Sequence, residues 1–279
     1  MISGTQETRR FYNEVGWTED DGASVDRQLF GVKEDGPIRI ELHHVHLERV
    51  RAALSGSGTP VNLLECGCGG NPEKKLLSLC SKYTGVDFSN TGIQMARSSF
   101  ANVKVPHAFH VADVCSLPFP DGAFDAAYCA HMVYHIVDVD AQRAAIQELV
   151  RVVKPGGVVV LITANPRPLA FPVRLLRRLA ADTPVIGKIL NRLRPKPPLP
   201  YKPMTIGWMR TLLAPSGSVE ILCADIPPTH FYQKVTEYKG AGKLLWKCIR
   251  WLDVNYPKLS GYLGNYVIVS LRKAAVANH

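Results

Sequence analysis

Val61-Asn62-Leu63-Leu64-Glu65-Cys66-Gly67-Cys68-Gly69 is the stretch on which the fold turns. Its first four residues are an apolar run of strand length, broken only by Asn62, and the glycines after Glu65 open a loop. Glycine is needed where a backbone turns sharply, or where a bound group comes too close for a Cβ. An acidic residue follows about 22 positions after Glu65, at Asp87, where it ends a second strand-like run, Tyr83-Thr84-Gly85-Val86-Asp87. A carboxylate in that place can accept hydrogen bonds from both hydroxyls of a ribose. Strand, glycine loop and acidic residue together imply an adenosine-containing cofactor.

Two departures set this loop apart from a dinucleotide site. Glu65 ends the first strand where dinucleotide folds carry a small or apolar residue, and Pro72 stands at the third glycine of G-x-G-x-x-G. That glycine serves close helix–strand packing beside a pyrophosphate, so its loss counts against such a ligand. The loop instead resembles the first motif, E/D-x-G-x-G-x-G, of the class I S-adenosylmethionine-dependent methyltransferases. Gly67 and Gly69 fit that form, while Asn71 takes the last glycine position and Gly70 is an extra glycine beside it.

The resemblance continues in family order over about residues 60–165. Val111-Ala112-Asp113-Val114, followed by Leu117-Pro118-Phe119, is similar to the third-strand motif, whose aspartate meets the adenine amino group. Phe124-Asp125-Ala126-Ala127-Tyr128-Cys129 is similar to the fourth strand. Met132-Val133-Tyr134-His135-Ile136-Val137-Asp138 resembles the loop that ends in His-Ile/Leu-x-Asp. Glu148 to Gly157, leading into Val158-Val159-Val160-Leu161-Ile162, resembles the helix, turn and fifth strand of the small-molecule branch.

Alternating strand and helix signals predict a doubly wound, Rossmann-like α/β fold with a seven-stranded sheet and an antiparallel last strand. The strands are expected at 61–66, 82–87, 107–112, 123–129, 157–164, 218–224 and 264–272, with helices at 73–81, 91–100 and 139–153. A parallel order leaves the cofactor in the crevice beyond the carboxyl ends of strands one and four. Residues 1–55 read as an N-terminal helical cap, with an amphipathic helix over 37–54. Residues 56–279 read as the cofactor-binding core, carrying insertions at 165–203 and 226–263 over the acceptor site. In the second insertion Trp246, Ile249 and Leu252 recur at helical spacing, the mark of a core stripe.

Charge is concentrated in the first insertion. Between Asn165 and Pro203 nine basic residues face Asp182 alone, a net of +8 out of the chain's formal +9. Prolines divide this segment into two short amphipathic stretches, one with Phe171, Leu175 and Leu179 opposite Arg174, Arg177 and Arg178. Three readings stand side by side: a lid on an anionic membrane surface, a clamp for a phosphate- or carboxylate-bearing acceptor, and a packing or dimer surface. RNA is disfavoured, because the arginines interleave with aliphatic residues and base-stacking aromatics are few.

The other features narrow the class. No stretch of about 18 apolar residues is present, the start Met1-Ile2-Ser3-Gly4 lacks a basic, apolar leader, and seven scattered cysteines suit a reducing compartment. A cytoplasmic protein is expected, with the inner membrane surface as one place of peripheral contact. His43, His44 and His46 share a helix turn without acidic or cysteine partners at metal spacing, so no metal is expected.

The resemblance implies S-adenosyl-L-methionine as cofactor, held by Tyr12, Glu65, Gly67, Gly69, Asp87, Phe88, Asp113, Val114 and Cys129. Because a sulfonium methyl is already activated, transfer mainly requires an acceptor held in line with the S–CH₃ bond. A hydroxyl acceptor also needs a base, for which His135 and His131 are the catalytic candidates. The expected acceptor is a small or lipid-linked molecule, methylated at oxygen. A free anionic metabolite, RNA and a non-catalytic, cofactor-binding scaffold at a membrane are the alternatives, and the oligomeric state is left open.

Overall fold

A computed structural model describes residues 4–20, 23–24, 37–56, 58, 60–168, 199–225 and 240–275. Helix α1 (Gly4–Phe11) passes directly into a π-helical turn over Tyr12–Gly16, and α2 (Pro37–Ser55) precedes the sheet. The core then runs β1 (Val61–Cys66), β2 (Cys80–Asp87), α3 (Asn90–Ser99), β3 (His107–Val111) and β4 (Phe124–Ala130). It continues with α4 (Val139–Val152), β5 (Val153–Ala164), α5 (Ile206–Leu213) and β6 (Gly217–Asp225). Helices α6 (Ala241–Asn255) and α7 (Pro257–Leu263) lead into β7 (Tyr266–Lys273).

The seven strands form one sheet in the order β3-β2-β1-β4-β5-β7-β6. Strands β1 to β5 are mutually parallel, and β7 inserts antiparallel to both β5 and β6. The expected α/β sheet with an antiparallel last strand is therefore the one observed. Its chain direction reverses between β1 and β4, which places the crevice at their carboxyl ends.

Each central strand feeds two cores, because neighbouring side chains point to opposite faces. Leu63, Val158, Val160 and Ile162 join the core beneath α2 and α3, while Leu64, Val159 and Leu161 join the core beneath α4 and α5. Burial on both faces explains why β1 and β5 read as continuous apolar runs. The helices are placed by their caps: Ser89 accepts the Gly92 amide at 3.1 Å, Asp138 that of Ala141 at 2.8 Å, and Thr205 that of Trp208 at 3.2 Å.

Three element boundaries differ from expectation. Instead of a helix over 73–81 there is a 3₁₀ turn at Lys74–Leu79, and β2 starts at Cys80. Pro72 stands just before the turn and Leu76 is its one buried residue, so the segment has no apolar stripe to hold longer helix. Helix α4 gives way at Val152 because Val153 already pairs with Phe124 as the first residue of β5. Strand β3 ends at Val111, one residue early, where the Ala112 amide turns to the Asp87 carbonyl at 3.0 Å.

The N-terminal and C-terminal helices are tied together behind the sheet. Arg49 of α2 donates to Asp253 of α6 at 2.9 Å and to the Cys223 carbonyl of β6 at 2.7 Å. In α6 Trp246 is buried, and Ile249 and Leu252 are half-buried. Among the described residues no helix is long and apolar enough to cross a membrane, and no group of three His, Cys, Asp or Glu residues could hold a metal ion. The amphipathic stretches of the basic insertion and the 226–239 part of the second insertion lie outside the described residues.

Candidate functional site

The glycine loop leaves β1 with both of its first amides turned back to β2. The Gly67 and Cys68 amides donate to the Val86 carbonyl at 2.8 and 3.1 Å. Gly67 and Gly69 have φ of +74° and +51°, the left-handed region that penalises a side chain. A Cβ on Gly67 would also lie 2.9 Å from the Met132 side chain, which crosses from the end of β4. These glycines are thus needed for both conformation and space.

Two buried carboxylates hold the loop. Asp87 Oδ2 accepts the Gly69 amide at 3.0 Å, and its Oδ1 accepts the Ser89 amide at 2.8 Å. Glu65 accepts the Glu73 amide at 3.1 Å and the Tyr83 hydroxyl at 2.5 Å. Burial dominates the Glu65 carboxyl and pushes its pKa up to about 7, against the opposing pull of the Tyr83 hydrogen bond.

The N-terminal segment lies over this loop. Ser89 donates its hydroxyl to the Tyr12 carbonyl at 3.2 Å, Asn13 accepts the Asn90 amide at 3.0 Å, and Thr91 donates to the Asn13 carbonyl at 3.0 Å. The Tyr12 ring sits 5.4 Å from that of Trp17 and 6.2 Å from that of Phe88. Trp17 packs so closely on the loop that a Cβ on Gly69 would overlap its ring. Its indole Nε1–H is buried without a hydrogen-bond partner among the described residues.

On the other side of the crevice, Asp113 follows β3 and is exposed. It accepts the Cys115 amide at 2.8 Å, which caps its own turn. Val114 and Cys129 are core side chains. They present backbone rather than side-chain groups to the crevice.

The two histidines differ sharply. His135 is buried in a 3₁₀ turn (Val133–His135), and its Nδ1–H donates to the Pro200 carbonyl at 2.8 Å. Burial lowers its pKa, with the carbonyl pulling the other way. The contact joins that turn to residues 199–205, as do the Lys202 amide to the Tyr134 carbonyl at 2.8 Å and buried Gln142 to the carbonyls of Ile136 and Lys202.

His131 stands at the end of β4 and is exposed. Its φ of +57° is the one positive value outside glycine among the described residues. Its Nδ1 lies 3.2 Å from the Tyr134 hydroxyl, and its ring meets Tyr266 edge-on at 4.9 Å. Tyr134 in turn donates towards Tyr266, which leaves the Tyr134 oxygen to accept from His131 Nδ1–H. Protein surrounding the ring pushes the His131 pKa down to about 4, and His135 adds to the shift. The ring's opening to solvent moderates the size of that shift but not its direction.

Glu65, Gly67, Gly69, Asp87, Phe88, Asp113 and His131 therefore gather at one edge of the sheet, with Tyr12 held above them, while His135 faces the segment before α5. Trp17, Met132 and Tyr266 join the site without any local motif to announce them. A loop of left-handed glycines beside a carboxylate fits an adenosylated sulfonium cofactor: the glycines keep side chains out of its path, and Asp87 has acceptor capacity beyond its two amide bonds.

Residues 64–161 match the family model of the methyltransferase domain. The chain is 32% identical over 146 residues to the ubiquinone biosynthesis O-methyltransferase of Xanthomonas oryzae pv. oryzae, a match covering 51% of this chain and 59% of that relative. The match thus spans less than two thirds of the relative's length. In fold the chain resembles the N-methyltransferase NodS of Bradyrhizobium japonicum WM9 in complex with S-adenosyl-L-homocysteine, with a TM-score of 0.55, 17% identity, and coverage of 95% of this chain and 98% of that one. It resembles the [4+2]-cyclase SpnF similarly, with a TM-score of 0.54, 20% identity, and coverage of 98% and 97%. Fold alone does not name the reaction. The sheet order, the glycine loop and the matched sequence together define a class I S-adenosylmethionine-dependent methyltransferase domain in this chain.

Proposed function

We propose that the chain transfers the methyl group of S-adenosylmethionine to an oxygen of a small or lipid-linked acceptor. The observation that carries this reading is the gathering, at the β1/β4 switch point, of a carboxylate-held glycine loop and an exposed, neutral histidine. The name of the Xanthomonas relative supports oxygen as the acceptor atom.

In this reading Asp87 receives the ribose hydroxyls on the lone pairs that its two amide bonds leave over. Phe88 offers a ring to the adenine, and Asp113 and Val114 meet its edge. Glu65 does not touch the ligand through a charge: it braces the loop from beneath through Glu73 and Tyr83. Tyr12, with Trp17, closes the methionine end. Cys129 contributes backbone only.

The bound cofactor supplies an electrophilic methyl. The chain's task is to hold the acceptor oxygen in line with it and to remove one proton. His131 suits the second task, because its Nδ1–H is directed to Tyr134 and Nε2 is then the basic nitrogen. Its depressed pKa keeps Nε2 unprotonated at neutral pH. His135, committed to Pro200, acts as a positioning residue for the loop that carries His131 and Tyr134. Tyr134, Tyr201 and Tyr266 give the acceptor side an aromatic wall, with ring centroids 5.3 and 6.4 Å from Tyr134.

The test is transfer from methyl-labelled S-adenosylmethionine to a lysate of the source cells, followed by solvent partition and alkaline hydrolysis. Label in the organic layer, stable as an ether, supports the proposal. Label confined to RNA or protein overturns the acceptor class, and no label despite bound cofactor overturns transfer itself.

A further inference from the structure

Helix α6 has two faces of opposite character. Its inner face is sealed: Trp246 is buried, and Asp253, 5% exposed, is held by Arg49 of α2, by Arg250 and by Ser260. Its outer face is apolar and open. Leu244, Trp251 and Val254 are 65%, 60% and 61% exposed, and Leu259 of α7 continues the surface at 51%. At 100° per residue, Leu244 and Trp251 lie one above the other at the centre of that face.

The charge around this face has one sign. Lys243, Lys247 and Lys258 are exposed and have no ion-pair partner among the described residues. The only carboxylate on α6 and α7 is the buried Asp253. A second copy docking through a two-fold axis would set these lysines against their own equivalents with no acid to pair them. A surface of negative headgroups over hydrocarbon satisfies both parts at once: the lysines meet the headgroups while Trp251, Leu244 and Val254 enter the boundary layer.

We propose that the outer face of α6 and α7 docks the chain on an anionic lipid surface. The position is useful. Helix α7 ends at the sheet edge that carries the site, where Asn165, just after β5, donates to the Tyr262 and Gly264 carbonyls at 2.9 Å. The docked face and the acceptor side of the crevice are therefore adjacent. The inference concerns binding and stands whether or not the acceptor is lipid-linked.

The experiment is co-sedimentation of the full chain with vesicles of equal phosphatidylglycerol and phosphatidylcholine, beside pure phosphatidylcholine, at low and high salt. Wild type is expected to pellet with the anionic vesicles and to be released by salt. Leu244→Ala combined with Trp251→Ala should weaken that binding roughly tenfold or more, since two large apolar side chains leave the bound face. Lys243→Glu with Lys247→Glu should abolish the preference for anionic lipid. All four positions are exposed, so folding can be checked independently by circular dichroism. Wild type that never pellets, or an Leu244→Ala/Trp251→Ala variant that binds like wild type, would overturn the proposal. A dimer that the same double variant dissociates, without vesicle binding, would assign the face to a second copy instead.

Discussion

The Asp87 carboxylate accepts the Gly69 amide at 3.0 Å, so the end of β2 holds the loop that leaves β1. Its second oxygen accepts the Ser89 amide, and Ser89 caps α3. One side chain thus sets the distance between the glycine loop and the first turn of α3. Replacing it should affect ligand and loop together.

Asp87→Ala should weaken S-adenosylhomocysteine binding by about a hundredfold or more, because a charged acceptor is lost and two amides are orphaned. Asp87→Asn should retain one loop contact and fall between. Titration calorimetry measures both, and wild-type affinity in the alanine variant would remove Asp87 from the ribose.

Glu65 ties stability to pH. Its carboxyl titrates at about 7 in the folded chain and near its model value of 4.5 when unfolded, so the folded state holds the extra proton between those values. Stability should therefore fall as pH rises from about 4.5 to about 7 and then level off. The total is about 3 kcal/mol at most. Glu65→Gln keeps the acceptor for Tyr83 and should flatten that slope in urea unfolding; parallel curves for variant and wild type would contradict it.

Gly69→Ala should act through Trp17. The new methyl overlaps the indole and adopts a left-handed φ, so the N-terminal segment must lift away. Cofactor affinity and thermal stability should both drop. Adding Trp17→Ala should restore the steric part and leave a backbone penalty of about 1 kcal/mol. A double-mutant cycle reads the coupling between the two positions, and strict additivity would show that they do not press on each other.

The histidines should separate by what their loss changes. His131→Ala should cut kcat by about 10² to 10⁴ with cofactor affinity intact. The acid limb of the wild-type pH–rate profile should lie well below 6.5, because a lowered pKa keeps the base available as pH falls. His135→Ala should instead lose about 1–3 kcal/mol of stability through the stranded Pro200 carbonyl. Equal kinetic damage from both, at unchanged stability, would refute this division of roles.

Residues close in sequence were the readable part of the site. Glu65, Gly67 and Gly69 belong to one loop, and Asp87 ends the next strand, so motif and topology coincide. Strand β1 has the expected bounds, Val61–Cys66, because its side chains are buried on both faces and nothing else competes for them. The 3₁₀ turn at Lys74–Leu79 was less readable, since Leu76, Leu77 and Leu79 mimic a helical stripe although only Leu76 is buried. Trp17 and Tyr266 were not readable at all. Each reaches the site by tertiary folding, from a segment about fifty residues before the loop and from the last strand. His131 and His135 look equivalent in sequence, and only φ and hydrogen-bond partners tell them apart.

The insertion of β7 between β5 and β6 has a consequence for synthesis. Strand β6 pairs with no strand but β7, which is made some forty residues later. While the ribosome adds α6 and α7, β5 keeps an open edge and β6 has no ladder at all. Both are free to pair with another nascent chain, so the interval before residue 273 emerges is when aggregation competes with folding. A stop codon anywhere between β6 and β7 would leave the glycine loop encoded in full, yet release a chain with an unguarded sheet edge, which chaperones and proteases would meet before any ligand did.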